Sequence, residues 1–154
     1  MRIADPQGLD SLRAEVRSSP DSNGERATIN SGANKVSEAQ FENVSWKAGG
    51  SGVESSALDL ALFGDAVLRN RYFPQATRDV MWSGGTANGR ANGWTLEAAG
   101  TVVTKTGANQ GSDSHIRIDI PNGITVVALT NTESPSIDTS ALTQQLLTIA
   151  LASP

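Results

Sequence analysis

The sequence predicts an α+β fold in which an antiparallel β-sheet is flanked by helices. Residues 101–129 contain three strand patterns separated by two turn signals, and helix patterns stand on both sides of them in the chain. The length of 154 residues suits a single domain with a modest core. Within this domain, 1–154, we expect residues 1–40 to form an irregular N-terminal segment and residues 41–154 the main body.

The N-terminal segment is polar and poor in aromatic side chains. Leu9, Leu12 and Val16 have the spacing of a short amphipathic helix over residues 8–17. Residues 25–31 are predicted to form a short strand.

The first helix of the main body is predicted to begin after Ser55 or Ser56, either of which is a good N-cap residue, and to end near Asn70. Its apolar stripe is expected to face the core. The stripe consists of Leu58, Leu62, Phe63, Ala66 and Val67.

Two further helices are predicted. One covers residues 75–81, directly after Pro74. The other begins at Asp138 or Thr139 near the C-terminus, and we expect its apolar face to pack against the sheet. That face carries Leu142, Leu146 and Ile149.

The sheet is predicted to contain three or four antiparallel strands between Trp94 and Leu129. Val102 and Val103 open a β-branched run that is expected to stop at Gly107. In the next strand, isoleucines at 116, 118 and 120 alternate with Arg117 and Asp119, which predicts one apolar face and one solvent-exposed face.

A turn is predicted at residues 121–123, where Pro-Asn-Gly supplies the backbone conformations that a tight turn needs. Residues 124–129 follow as a continuous apolar run. Such a run is typical of a central strand buried on both faces.

Composition excludes several classes of function. The net charge of −4 gives no general affinity for nucleic acid, and no segment is long and apolar enough to span a bilayer. The absence of cysteine excludes thiolate sites, and His115 has no second ligand nearby, so neither a metal nor a cofactor is expected. Residues 1–6 lack the apolar core of a signal peptide. The protein is therefore expected to be cytoplasmic, or periplasmic or secreted if it belongs to a longer precursor.

The residues with the clearest chemical potential are Lys105, Thr106, Gly107 and Ala108, at the end of the first long strand. The cation attracts a substrate anion, the hydroxyl forms hydrogen bonds, and the glycine lets a ligand approach the backbone. The backbone N–H of Ala108 could point at a developing oxyanion. The tripeptide by itself is more typical of a solvated turn than of a functional site.

A wider pattern surrounds this tripeptide. It is followed by Gly111, the alternating strand, the turn at 121–123 and residues 129–131. Upstream, at residues 46–64, a glycine-rich segment precedes a Ser-Ser pair and a helix. Together they resemble the C-terminal part of class C β-lactamases and their relatives: penicillin-binding-protein-like D,D-peptidases, lactamase-like esterases and the mitochondrial β-lactamase-like protein. The resemblance covers residues 41–154 and implies part of a β-lactamase/transpeptidase-like fold.

The resemblance also implies roles for individual residues. Lys105 and Ala108 would take part in catalysis, and Thr106 and Gly107 would contact substrate, which would be a small ester, amide or β-lactam. Glu133 stands where lactamases of this class often place an asparagine that binds the β-lactam carboxylate. Because an acid there would repel an anion, we expect a substrate without a carboxylate.

The family's nucleophile is missing. Its Ser-x-x-Lys and Tyr-x-Asn segments have no counterpart here, and Tyr72, the one tyrosine, is followed by Phe73 and Pro74. Three explanations remain open: half of a split hydrolase, a truncated product that is stable through self-association, or a non-catalytic binding module with the same fold. We expect the chain to be inactive alone, with a missing N-terminal half or a second copy as its partner.

Overall fold

The computed structural model describes residues 4–14, 27–32, 37–38, 45–47, 50, 52–84, 89–109, 111–134 and 136–153. Among these residues, the strands in chain order are β1 (Arg13–Ala14), β2 (Asn30–Ser31), β3 (Ser37–Glu38), β4 (Val53–Glu54), β5 (Thr95–Glu97), β6 (Val102–Asn109), β7 (Ser112–Asp119), β8 (Ile124–Thr130) and β9 (Thr132–Glu133). The α-helices are α1 (Ala57–Leu68), α2 (Gln75–Met81) and α3 (Thr139–Ala152), and short 3-10 helices occupy Asp5–Gln7, Ser45–Lys47 and Ala98–Gly100.

The principal sheet is antiparallel throughout and has the strand order β5-β6-β7-β8. Gly64 of α1 lies against Ile116 and Thr125 on one face of it, whereas Thr143 of α3 is hydrogen-bonded to His115 on the other. Because successive residues of a strand point to opposite faces, α1 and α3 sit on opposite sides of the sheet. The predicted α+β class, with helices flanking an antiparallel sheet, is confirmed.

The three predicted long strands are present, and the turn between the last two is closed by Gly123, whose φ is 67°. The first of them is longer than predicted. β6 continues through Gly107 to Asn109, because each of its residues is paired with β7 up to the Asn109–Ser112 pair.

The prediction that residues 124–129 form a central strand is wrong. β8 lies at the edge of the principal sheet, and β7 occupies a central position instead. β8 is mostly half-buried, since α1 and α3 both contact it while no described strand pairs with its outer edge.

The face of the sheet that carries α1 is apolar. Val103 and Ile118 are fully buried there, together with Ile116. They pack with Val67 and further side chains into one core cluster. Its other buried members are Leu68 and Trp82.

The opposite face is polar yet buried, so the expected solvent-exposed face does not exist. His115, Arg117 and Asp119 are 2%, 4% and 7% exposed. Arg117 Nη1 donates to Glu97 Oε2 at 2.5 Å, and the Thr104 hydroxyl donates to the other oxygen of the same carboxylate at 3.1 Å. These contacts compensate the cost of removing polar groups from water.

The ends of the helices agree with the sequence prediction better than their buried faces do. Ser56 Oγ accepts the N–H of Asp59 at 3.1 Å, and Asp138 Oδ1 accepts the N–H of Ala141 at 2.9 Å. The helix predicted at 75–81 is α2, with the same bounds.

The faces of α1 and α3 that the periodicity selected are only partly correct. In α1, Ala66 and Val67 are buried as predicted, but Leu58 and Leu62 are exposed. In α3 the prediction is wrong, because the buried face carries polar residues while the leucine face is open. The buried residues are Thr139, Thr143 and Leu147, and the exposed ones include Leu142, Leu146 and Ile149.

The helix predicted over residues 8–17 is also wrong as far as the structure describes it. Residues 4–14 form the first 3-10 helix and β1, with Leu9 buried and packed with Leu12 near Phe63; Val16 lies outside the described residues. The Ser11 N–H donates to Asp59 Oδ2 at 2.6 Å, so this segment is anchored on α1.

Two small sheets complete the described part. β1 pairs with β4, and β2 pairs with β3 and, in parallel, with β9. β2 covers the end of the strand predicted at 25–31; residues 25–26 of that prediction lie outside the described residues. Residues 48–49 and 51 of the glycine-rich segment that precedes α1 also lie outside them. No helix within the described residues has the length and hydropathy needed to cross a membrane.

The close approach of α1 to the sheet depends on Gly64. A Cβ at this position would lie 2.7 Å from Thr125 Cγ2 and 2.8 Å from Ile116 Cδ1. Gly64→Ala should therefore lower the free energy of unfolding by about 1–2 kcal/mol, because overpacking outweighs the gain in helix propensity. Urea denaturation measures the change.

Ile116→Val provides the control, since it removes the Cδ1 atom that the new methyl group would meet. Gly64→Ala should cost less in that background than in the wild-type chain, which a double-mutant cycle detects. An equal cost in both backgrounds would show that this contact is not the cause.

Candidate active-site cleft

A cleft of about 420 Å³ opens at the edge of the principal sheet where β5 begins. Lys105 and Thr106 of β6 line one side of it. The other side comes from the hairpin that leads into β5. Its lining residues are Arg90, Ala91, Gly93, Trp94 and Thr95.

The hairpin has a simple local cause. Asn92-Gly93 forms its two-residue turn, with Gly93 at φ 80°, and the Ala91 N–H donates to the Trp94 carbonyl at 2.9 Å. Arg90 then pairs with Thr95, which pairs in turn with Thr104 of β6. The hairpin thus turns away where β6 continues, and this leaves the cleft between them.

The free edge of β6 presents backbone groups to this opening. The Ile120 N–H donates to the Thr101 carbonyl at 3.0 Å, so these opposed residues form a hydrogen-bonded pair. Since such pairs alternate along an antiparallel ladder, Thr106 and Ala108 direct their N–H and C=O groups away from β7. β5 begins opposite Thr104, and no described strand covers the edge beyond that point.

Gly107 has a structural role within this strand. It lies opposite Ser114, whose hydroxyl donates to the Gly107 carbonyl at 3.0 Å. A Cβ on Gly107 would lie 2.6 Å from Ser114 Oγ. The glycine is therefore required by the neighbouring strand, whether or not a ligand approaches it.

The five sequence-predicted site residues belong to two strands. Lys105, Thr106, Gly107 and Ala108 are consecutive and exposed on β6, and the first two line the cleft. Glu133 lies in β9, where its backbone is paired with Ser31 in a different sheet. Its effect on substrate charge stays a prediction.

Arg90 was missed by sequence reasoning. Its segment looked like an ordinary loop, although Asn92-Gly93 before a strand is a hairpin signal that could have placed Arg90 opposite Thr95. The side chain of Arg90 is exposed, and it shares the cleft with the Lys105 cation.

The apolar wall of the cleft is anchored in the core. Trp94 meets Trp82 edge to face, with ring centroids 6.0 Å apart, and Trp82 is only 8% exposed. The guanidinium carbon of Arg78 lies over the Trp82 ring, 5.3 Å from its centre. The wall opposite Lys105 is thus fixed by packing.

A buried hydrogen-bonded pair lies beside the site strand. His115 is the cross-strand partner of Thr106, and its Nδ1 lies 2.7 Å from the Thr143 hydroxyl of α3. That hydroxyl donates to the Ser140 carbonyl at 2.9 Å, so it accepts the Nδ1–H of a neutral imidazole. Burial, and after it the Arg117 cation, lowers the pKa of His115.

No nucleophile is assembled within the described residues. Lys105 is not hydrogen-bonded to any described serine; Ser56 caps α1, and Ser55 Oγ donates to the Ser56 carbonyl. The Tyr72 hydroxyl is buried beside Phe63 and has no described hydrogen-bond partner. Its burial raises the pKa of the phenol, so Tyr72 does not serve as a base near neutral pH.

No cluster of three or more carboxylate or imidazole groups suited to a metal ion occurs among the described residues.

Comparison with solved structures identifies the fold. A D-stereospecific amidohydrolase from Streptomyces sp. matches with a TM-score of 0.61 at 17% identity, covering 85% of this chain and 42% of its own. SurE matches with a TM-score of 0.65 at 18% identity, covering 97% and 37%, respectively. EstCE1, a hydrolase with promiscuous acyltransferase activity, matches with a TM-score of 0.59 at 17% identity, covering 92% and 47%.

At these identities the likeness shows the fold alone: the chain has part of a β-lactamase-like fold. It spans less than half the length of each of these structures. No protein-family model matches the sequence, and no curated protein is significantly similar to it.

The depressed pKa of His115 predicts how stability depends on pH. As pH falls below about 6.5, the unfolded chain binds a proton that the folded chain still excludes. The free energy of unfolding should therefore decrease between pH 7.5 and pH 5.5, which denaturant titrations at several pH values measure. His115→Gln should flatten this slope, and a wild-type protein equally stable across the range would contradict the assignment.

Proposed function

We propose that this chain is the C-terminal portion of a serine-reactive acyl hydrolase of the β-lactamase, esterase or D,D-peptidase type. In this proposal it supplies the oxyanion-stabilising and substrate-binding side of the cleft. The observation that carries the proposal is the open edge of β6, where Lys105 and Thr106 line the cleft and the Ala108 N–H points outward.

Each group would have a distinct task. The Ala108 N–H would donate to the oxyanion of the tetrahedral intermediate, where a preorganised donor lowers the barrier. Lys105 would orient the substrate and assist proton transfer, and Thr106 would hydrogen-bond the substrate through its hydroxyl. Gly107, which has no side chain, would leave room for the substrate to approach the strand beside them. Substrates would be small esters, amides or β-lactams, and the D-stereospecific amidohydrolase in the comparison makes amides of D-amino acids worth testing.

The attacking serine and its base would come from polypeptide that completes the fold. The chain spans less than half the length of the solved structures that it resembles, and the sequence has no Ser-x-x-Lys. The missing part would be an N-terminal half of the same protein or a separate partner. The outer edge of β8, which no described strand pairs, is a place where strands of that half would be added.

A non-catalytic, self-associating module is the second candidate, because α3 leaves an apolar face open. Leu142 and Leu146 are 44% and 43% exposed, and Ile149 is 63% exposed. Exposed leucines on this scale are typical of an interface between proteins. Under this alternative, Lys105 and its neighbours would be a strand end without chemistry.

Activity assays separate these candidates. The isolated chain should not hydrolyse p-nitrophenyl butyrate and should not be labelled by a fluorescent penicillin, since it lacks the nucleophile. The chain completed by the polypeptide encoded upstream should hydrolyse the ester, and Lys105→Ala should reduce kcat/KM by about 100-fold.

Arg69→Ala is the matched control, because Arg69 is an exposed cation on α1 that pairs with Asp65 rather than lining the cleft. It should leave kcat/KM unchanged. Three results would contradict the proposal: a label on any serine of the isolated chain, an upstream sequence without Ser-x-x-Lys, or full activity in the Lys105→Ala enzyme. Concentration-dependent association of an inert chain, with no upstream half, would favour the binding module.

A further inference from the structure

The strand register divides the cleft between the two faces of the principal sheet. Thr95 and Thr106 point to the side of α3, and so does Arg90, the bridge partner of Thr95. Because side chains alternate along a strand, their neighbours Trp94 and Lys105 point to the side of α1. The cleft therefore has a polar half on one face and an aromatic half on the other.

The half of the cleft on the α1 side is built around an indole ring. Thr95 pairs with Thr104, and Trp94 and Lys105 are the next residues on the two strands. The Ala91 N–H donates to the Trp94 carbonyl across the hairpin turn, so the methyl group of Ala91 lies on the same side as the indole. Lys105 adds an apolar stem that ends in an ammonium group. A ligand in this half would thus contact an indole ring close to a cation.

The indole of Trp94 is held in place by the core. Its centroid lies 6.0 Å from that of Trp82, the two planes meet at 81°, and Trp82 is only 8% exposed. Trp94 packs against the main core cluster, yet it is only partly buried and lines the cleft. A ring that is fixed before binding loses little conformational freedom when a ligand stacks on it, which favours affinity.

We propose that Trp94 is a specificity-determining residue that stacks on an aromatic group of the substrate, with the Lys105 ammonium group at the edge of this subsite. The inference rests on the proposed function and names its substrate class: esters or amides that carry a phenyl-like ring at a distance from the reacting carbonyl. An aromatic ring gains from an indole partner and from a nearby cation beyond the burial of its area, whereas a saturated ring gains from burial alone.

The strand geometry sets the distance between the ring and the reacting carbonyl. Ala108, the proposed oxyanion donor, lies three residues beyond Lys105 on β6, which corresponds to about 10 Å. Since Trp94 lies beside Lys105, a ring stacked on the indole would be separated from a carbonyl at Ala108 by a similar distance. An extended ω-phenylhexanoyl group has this reach.

Ligand binding tests the subsite without requiring a nucleophile. Three neutral ligands are compared: ω-phenylhexanamide, ω-cyclohexylhexanamide and hexanamide. The tryptophans of the isotope-labelled chain, Trp46, Trp82 and Trp94, give separate indole N–H signals in NMR titrations. The phenyl ligand should shift the Trp94 signal saturably and leave that of Trp46 unchanged. It should bind about tenfold more tightly than hexanamide, because the ring is buried and stacked.

Substitutions then identify the residue responsible. Trp94→Leu keeps an apolar wall but removes the aromatic face, so it should reduce the affinity ratio of the phenyl ligand to the cyclohexyl ligand several-fold. Trp94→Phe should retain most of that ratio. Trp46→Leu is the matched control, because Trp46 also has a cation nearby, Lys47 Nζ at 5.0 Å from its ring centre, but is 76% exposed. It should leave the ratio unchanged.

The backbone spectra report whether each variant is folded. Equal affinity for ω-phenylhexanamide and hexanamide would overturn the inference. An unaltered phenyl-to-cyclohexyl ratio in a folded Trp94→Leu chain would also overturn it.

Turnover by the completed protein distinguishes this inference from the function on which it rests. Trp94→Leu should lower kcat/KM about tenfold for an ester that carries the distant ring and spare p-nitrophenyl butyrate, whereas Lys105→Ala should impair both. A loss with ethyl ω-phenylhexanoate places the ring in the acyl part of the substrate, and a loss with ω-phenylbutyl butyrate places it in the alcohol part. If Trp94→Leu spares all three esters, the aromatic subsite is wrong and the hydrolase proposal stands. If no ester is hydrolysed, the hydrolase proposal fails even where the phenyl ligand binds.

Discussion

The antiparallel pairing of β6 with β7 determines which backbone groups reach the edge of the principal sheet. Eight residue pairs hold the two strands in one register, and hydrogen-bonded pairs alternate with non-hydrogen-bonded pairs along it. A slip of one residue would turn the Ala108 N–H towards β7 and move Val103 from the core to the opposite face. The candidate oxyanion donor and the hydrophobic core thus depend on the same register.

That register is supported differently on the two faces of the sheet. On the α1 side, close contact at Gly64 and buried aliphatic side chains exclude water. On the α3 side, buried polar side chains are hydrogen-bonded to one another, with Arg117 Nη1 bonded to Glu97 and His115 to Thr143, although the Arg117 Nε has no described partner. Apolar packing tolerates small shifts, whereas buried polar groups require their partners at hydrogen-bonding distance, so the polar face adds positional precision to the strand that carries Lys105.

The cleft and the open surfaces of the described residues carry the proposal for this chain. Arg90 and Lys105 both line the cleft, although the strand register places their side chains on opposite faces of the sheet. The open apolar face of α3 and the edge of β8 that no described strand pairs are the surfaces at which the proposed completing polypeptide would be added.

The sequence by itself determined the class of the fold, the three long strands, the turn at Gly123 and the caps of α1 and α3, because these depend on residues near one another in the chain. Only the tertiary structure decided that β8 is an edge strand, that Arg117 and Asp119 are buried, and that α3 packs through Thr139, Thr143 and Leu147. It also decided that Arg90 and Lys105 line the same cleft, while Glu133 belongs to another sheet. Periodicity identifies a face without saying what covers it, since burial and proximity come from segments distant in sequence.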